Sequence, residues 1–159
     1  MGFEKLIDDL KKGVGLVRVK AASELGKLKD KKAATALREA LGDSNMGVRS
    51  NAAFALGELG SKEAVPQLLG LLNDPEERVR KSAVKALGMI GSSQAVASLI
   101  HALNHDASLI VRKSAIRSLG QIGGPQAMQA VKRAALDPDI TLADMAKKAM
   151  ENHQKNIIP

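Results

Sequence analysis

One stretch, Val79-Arg80-Lys81-Ser82-Ala83-Val84-Lys85-Ala86-Leu87-Gly88-Met89-Ile90-Gly91, recurs four times and constrains the fold more than any other feature of the chain. It returns as Val17-Arg18 through Ala21, Leu25-Gly26 and Leu28, as Val48-Arg49 through Ala52, Leu56-Gly57 and Leu59, and as Val111-Arg112 through Ala115, Leu119-Gly120 and Ile122. The copies start at 17, 48, 79 and 111, so the period is 31, 31 and 32 residues. A fixed period in that range means stacked supersecondary units, each too small to bury its apolar face alone.

Inside a unit the spacing is helical. Val79, Ala83, Val84, Leu87 and Ile90 fall on one face of a helix. A Gly then stops it (Gly60, Gly91 and Gly123, with Lys29 in the first copy), and a second apolar pattern follows, Ala95-Val96, Leu99-Ile100 and Ala102-Leu103. Each unit is therefore a helix pair. Asp74-Pro75 and Asp137-Pro138 punctuate the joints, where Asp is expected to cap the next helix and Pro disfavours continuation of the last. The third unit carries one extra residue in Asn104-His105-Asp106, expected in a loop.

The ends follow from the same period. Phe3, Leu6, Ile7 and Leu10 precede Ala34, Leu37, Arg38 and Leu41 by one period, so the chain opens with a lone second helix. Leu142, Ala146, Met150 and His153 follow Val111, Ala115, Leu119 and Ile122 by one period, but Ala143 replaces the Arg and Glu151 the Gly. These readings divide the single domain 1–159 into an N-terminal capping helix (1–16), four repeats (17–47, 48–78, 79–110, 111–140) and a C-terminal capping helix (141–159), about ten helices in all. Small residues at fixed columns (Ala21, Ala52, Ala83, Ala115, and Gly26, Gly57, Gly88, Gly120) predict close helix crossings.

The pattern Val-Arg-x-x-Ala-x-x-x-Leu-Gly-x-Leu/Ile-Gly, then Ala-Val-x-x-Leu-x-x-Leu-x-Asp, resembles HEAT-like repeats of the phycobilisome-lyase type and is similar to the consensus of the designed alphaRep proteins. The resemblance covers residues 2 to 153 and implies an all-α fold, a right-handed α-solenoid of helix pairs. Arg38 and Lys132 depart from the apolar residue seen at Leu69 and Ile100. The scatter is that of a diverged natural protein more than of identical designed modules. In the family the loop Asp and the helix Arg form a polar ladder, and the matching residues here are Asp43 with Arg49, Asp74 with Arg80, and Asp106 with Arg112. Each Arg is expected to satisfy loop carbonyls and carboxylates at the turn between units.

Little chemistry is encoded. The absence of Cys removes thiolate metal sites and thiol nucleophiles. The three histidines, His101, His105 and His153, have no metal spacing with a carboxylate, and no phosphate loop or nucleophile elbow is present. The di-iron hydroxylases that share the fold require His-Glu pairs, and this chain has no His-Glu dipeptide. A glycosylase role would call for aromatic side chains to hold a base, and the only aromatics are Phe3 and Phe54. Phe54 stands where Ser23, Lys85 and Arg117 stand, as either a partner contact or a local packing variant. No catalytic residue, cofactor or metal is expected.

Two surfaces remain as binding candidates. In the architecture the resemblance implies, the second helices line the concave side, with Thr35, Glu39, Pro66, Gly70, Ala97, His101, Gln129 and Arg133 pointing outward. That surface, small and polar, suits a helix or an extended segment of another protein. The other candidate is basic. Of the net charge of +7, most sits in the carboxy-terminal half, where Lys81 aligns with Lys113, and Lys85 with Arg117 and Lys148. Such a stripe favours nucleic acid or an acidic surface. The leading expectation is a non-enzymatic protein-binding scaffold, the alternative nucleic-acid binding, and the third a phycobilin-lyase-like helper subunit on resemblance alone. No signal peptide or membrane span is evident, and a cytoplasmic protein is expected.

Overall fold

The repeated apolar columns wind as helices throughout the computed structural model, which describes residues 2–157. Residue 1 of the first cap and residues 158–159 of the last lie outside the described residues. Among the described residues ten α-helices follow one another: α1 (Phe3–Lys12), α2 (Gly15–Leu28), α3 (Ala34–Ala40), α4 (Met46–Glu58), α5 (Val65–Gly70), α6 (Glu77–Ile90), α7 (Val96–His105), α8 (Leu109–Ile122), α9 (Pro125–Ala134) and α10 (Ile140–Ile157). No strand occurs among the described residues. The protein is an all-α solenoid.

Two layers build the stack. The even-numbered helices pack in series, α2 on α4, α4 on α6, α6 on α8 and α8 on α10, while each odd-numbered helix packs against the even one that follows it. One continuous core takes in Leu25, Leu56, Leu87 and Leu119 of the even-numbered helices and Leu37, Leu68, Leu99 and Val131 of the odd-numbered ones, all with no exposed surface. Burial of such side chains contributes roughly 1.5–3 kcal/mol each. Every unit thus shares its core with both neighbours.

The glycine column marks the tightest crossings. A Cβ added at Gly57 of α4 would lie 2.7 Å from the Ala86 Cα of α6, and one added at Gly26 of α2 would lie 2.8 Å from the Ala55 Cβ of α4. A side chain cannot enter there unless the helices separate. The stop positions share another property, since Gly91 (φ 73°) and Lys29 (φ 52°) both end their helices in the left-handed conformation. Lys29 is the only residue other than glycine with a positive φ among the described residues. For an L side chain that conformation costs about 1 kcal/mol.

Two local expectations need correction. Asp74 does not cap α6 directly; its carboxylate accepts from the N–H of Glu76, the residue before the helix, and Asp43, Asp106 and Asp137 do the same for Asn45, Ser108 and Asp139. The extra residue of the third unit is also not looped out. Leu71–Asn73 forms a 3-10 turn after α5, whereas the matching segment of α7 stays α-helical as far as His105. An α turn holds 3.6 residues and a 3-10 turn 3.0, so the change of winding absorbs the insertion.

Candidate functional site

On the second-helix face, each outward pair is four residues apart and so lies on one side of its helix: Thr35 and Glu39 on α3, Pro66 and Gly70 on α5, Ala97 and His101 on α7, Gln129 and Arg133 on α9. All eight are exposed. Glu39 faces Lys11 of α1 at 3.5 Å, an ion pair open to solvent.

The spaces between second helices form two successive grooves. The one between α5 and α7 encloses about 440 Å³ and is bordered by Leu69, Leu72, His101 and His105. The next, between α7 and α9, encloses about 310 Å³ and is bordered by Ile100, Leu103, Gln129 and Arg133. Of the eight residues, then, His101, Gln129 and Arg133 border grooves, while Thr35, Glu39, Pro66, Gly70 and Ala97 stand on the ridges outside them. His105 was a loop residue by its sequence position. Here it closes α7, with its ring centroid 4.6 Å from that of His101. The signal was the four-residue spacing, legible only once the helix is known to continue.

On the opposite layer, Lys81 and Lys85 of α6 and Lys113 and Arg117 of α8 converge on one groove of about 250 Å³, floored by Ile110 and Met145. Lys148 of α10 borders the adjoining groove, which Arg117 shares. Lys85 also lies over the Phe54 ring, its Nζ 5.4 Å from the centroid. None of the five cations makes an ion pair among the described residues.

The Arg–Asp ladder runs between units rather than within them. Arg18, Arg49 and Arg80 each donate two hydrogen bonds of 2.8–3.2 Å to the carboxylates of Asp43, Asp74 and Asp106, one unit further on. The residue six positions earlier supplies only a carbonyl: Arg49 Nη1 donates to Asp43 O at 2.9 Å, and Arg80 Nη1 to Asp74 O at 3.0 Å. Asp43 with Arg49 and Asp74 with Arg80 are thus backbone contacts. The inserted residue shifts the pattern for Arg112, whose Nε donates to Leu103 O at 2.7 Å rather than to Asp106. Its Nη2 is 3.6 Å from Asp137. Burial by itself would raise the Asp74 carboxyl. The hydrogen bonds from Arg49 and the Glu76 amide, with the charges of Arg49 and Arg80, outweigh it and hold the group below the usual carboxylate range; Asp43 is lowered in the same way by Arg18 and Asn45. These guanidiniums are engaged internally.

Among the described residues no group of three or more His, Asp or Glu side chains could hold a metal ion, and no helix is long and apolar enough to cross a membrane.

Comparison with curated protein sequences found no match. Among solved structures, the chain is similar to a chain in the complex of CpcE and CpcF of phycocyanin lyase from Nostoc sp. PCC7120, with 28% identity and a TM-score of 0.82 over 98% of this chain and 66% of that one. It therefore spans just under two thirds of the length of that relative. It is also similar to human deoxyhypusine hydroxylase in complex with glycerol (21% identity, TM-score 0.68, 96% of this chain and 74% of that one). A designed armadillo repeat protein in complex with the peptide (KR)4 aligns comparably (23% identity, TM-score 0.70, 94% and 80%). These last two likenesses are of fold alone. The model of the HEAT-repeat family matches residues 3–79, 40–115 and 69–151, which together span the stacked helix pairs, and the chain belongs to the HEAT-repeat family.

Proposed function

We propose that the protein is a non-enzymatic scaffold that binds another protein along the second-helix face. The observation that carries this reading is the pair of successive grooves between α5, α7 and α9, floored in part by Leu69, Leu72, Ile100 and Leu103 and flanked by exposed residues. Their series along the stack suits a helix or an extended segment that crosses several units. The ridge residues carry no aromatic anchor, so affinity would come from many modest contacts.

Photo-crosslinking amino acids placed at Ala97 and at Gln129 test it in extracts of the native source, with Lys20 on α2 as the control. The same partner should be captured from both second-helix positions and not from the control. Capture from the control alone, or of unrelated proteins at 97 and 129, overturns the reading.

A second reading is a helper subunit related to phycobilin lyases, supported by the 28% identity to the phycocyanin lyase chain over nearly the whole length of this one. Titration of the purified protein with a phycobilin decides it. A bilin whose visible absorption and fluorescence do not change on mixing removes that reading.

A further inference from the structure

The groove between α6 and α8 lies on the layer opposite the proposed protein-binding face and stands on separate observations. Lys81, Lys85, Lys113 and Arg117 all border it, and among the described residues none is ion-paired, although nine ion pairs form elsewhere among them. The carboxylates on the elements packed around it are Glu58 of α4, Glu77 of α6, and Asp144 and Glu151 of α10. None of these forms a salt bridge with the four cations. Lys81, Lys85 and Lys113 are half-buried, so their mutual repulsion is less screened than on an open surface. An anion entering the groove would relieve it.

The floor narrows the class of anion. Ile110, at the start of α8, is 51% exposed and sits beside the half-buried Met145. A nucleic-acid backbone gains nothing from an aliphatic floor. Among the described residues no aromatic ring borders this groove; Phe54 nearby has Lys85 over it, and His153 lines the adjoining groove instead, so none stands here to stack on a base. We infer that this groove is a docking site for a short acidic segment of a partner protein, in which an aliphatic anchor flanked by Asp or Glu packs on Ile110 and Met145 while the carboxylates meet Lys81, Lys113 and Arg117. Lys148, next in the row, extends the positive field for a longer segment. Together with the second-helix face this makes the protein a two-sided adaptor.

Fluorescence anisotropy on the full chain tests the inference with two labelled probes of equal net charge. One is a peptide in which two leucines are flanked by glutamates; the other is an oligodeoxythymidylate. The peptide should bind more tightly, and binding should weaken as salt shortens the Debye length from about 30 Å to about 8 Å. The double variant Lys113→Glu, Arg117→Glu should lose about tenfold or more in affinity for the peptide. Ile110→Ser should weaken peptide binding several-fold and leave the oligonucleotide unchanged. The control double variant Lys31→Glu, Lys32→Glu, in the turn between α2 and α3, should bind the peptide like the parent. Thermal melts report whether each variant folds, and the neutralising pair Lys81→Gln, Lys113→Gln replaces the reversal if that one does not. Tighter binding of the oligonucleotide would show a nucleic-acid surface. That outcome overturns the inference, as do equal binding of both probes regardless of Ile110, no binding of the peptide, or an equal loss in the Lys31, Lys32 control.

Discussion

At the two joints marked by Asp43 and Asp74, one aspartate does three jobs. Asp74 accepts two hydrogen bonds from Arg49, holds the Glu76 amide, and offers its own carbonyl to Arg80. Its side chain is 6% exposed and that of Arg49 14%, whereas Asp137 and Arg112 are 26% and 28% exposed and stand 3.6 Å apart. The two aspartates therefore differ in worth although they occupy the same place in the repeat. Asp74→Ala should destabilise the fold by about 3 kcal/mol, because it strands a largely buried guanidinium. Asp137→Ala should cost about 1 kcal/mol, for the lost turn contact and a solvated pair. Urea unfolding of both variants checks the ranking, and equal losses would contradict it. The sign with pH follows from the lowered Asp43 and Asp74 carboxyls. As pH falls, the unfolded chain takes up protons first, near the ordinary value of about 3.9. The contribution is fully present above that value and is lost as pH drops through the folded-state values. Asp74→Ala should accordingly show a flatter acid limb than the parent in stability measured between about pH 5 and pH 2.

At the scale of helices, glycine has opposite consequences at two places. Gly57 lies at the α4–α6 crossing, where an added Cβ would meet the Ala86 backbone at 2.7 Å. Gly70, the last residue of α5, has helical backbone angles and no atom within 4 Å of that position. Gly57→Ala gains about 1 kcal/mol of helix propensity but overpacks a backbone contact that costs about 1–3 kcal/mol, so it should be net destabilising. Gly70→Ala meets no such obstacle and should stabilise by about 0.5–1 kcal/mol. Denaturant midpoints that move in the same direction for both variants would refute the crossing argument. The glycine column was legible in the sequence because it repeats at the period of the stack. The ladder register was not. The spacing of six joins Asp43 to Arg49 along the chain, but the carboxylate partner of Arg49 is set by how far α6 advances over α4, a quantity no single repeat contains. For the same reason the exposed columns could be named in advance but not the grooves. His101 and Gln129 border grooves and Ala97 does not, because the gap between neighbouring helices decides. The continuation of α7 to His105 escaped because a one-residue insertion can be taken up by a loop or by a change from 3-10 to α winding.

Across the whole molecule every contact of consequence joins one unit to the next. Among the described residues the substantial packing lies between neighbouring units, with the even-numbered helices following one another in series. Stability in such an array is a sum of unit and nearest-neighbour terms, so it should be highest where a helix has neighbours on both sides. Native-state amide exchange should then be slowest in α4, α6 and α8 and at least about tenfold faster in α1 and α10, which close the two ends. Gly57→Ala gives the sharper test, since it loosens one interface and leaves the others intact. In a nearest-neighbour array the loss of protection should fall mainly on α1 to α4, the segment on the short side of the weakened α4–α6 contact, while α8 and α10 keep most of theirs. A uniform loss over all ten helices would mean that the stack unfolds as one cooperative body despite its serial contacts. Graded behaviour bears directly on binding, because a partner seated on α6 and α8 would then reinforce those units and their immediate neighbours alone. Occupancy of the basic groove should protect α6, α8 and α10 from exchange and leave α1 and α2 unchanged, so the surface in use can be read from where protection rises.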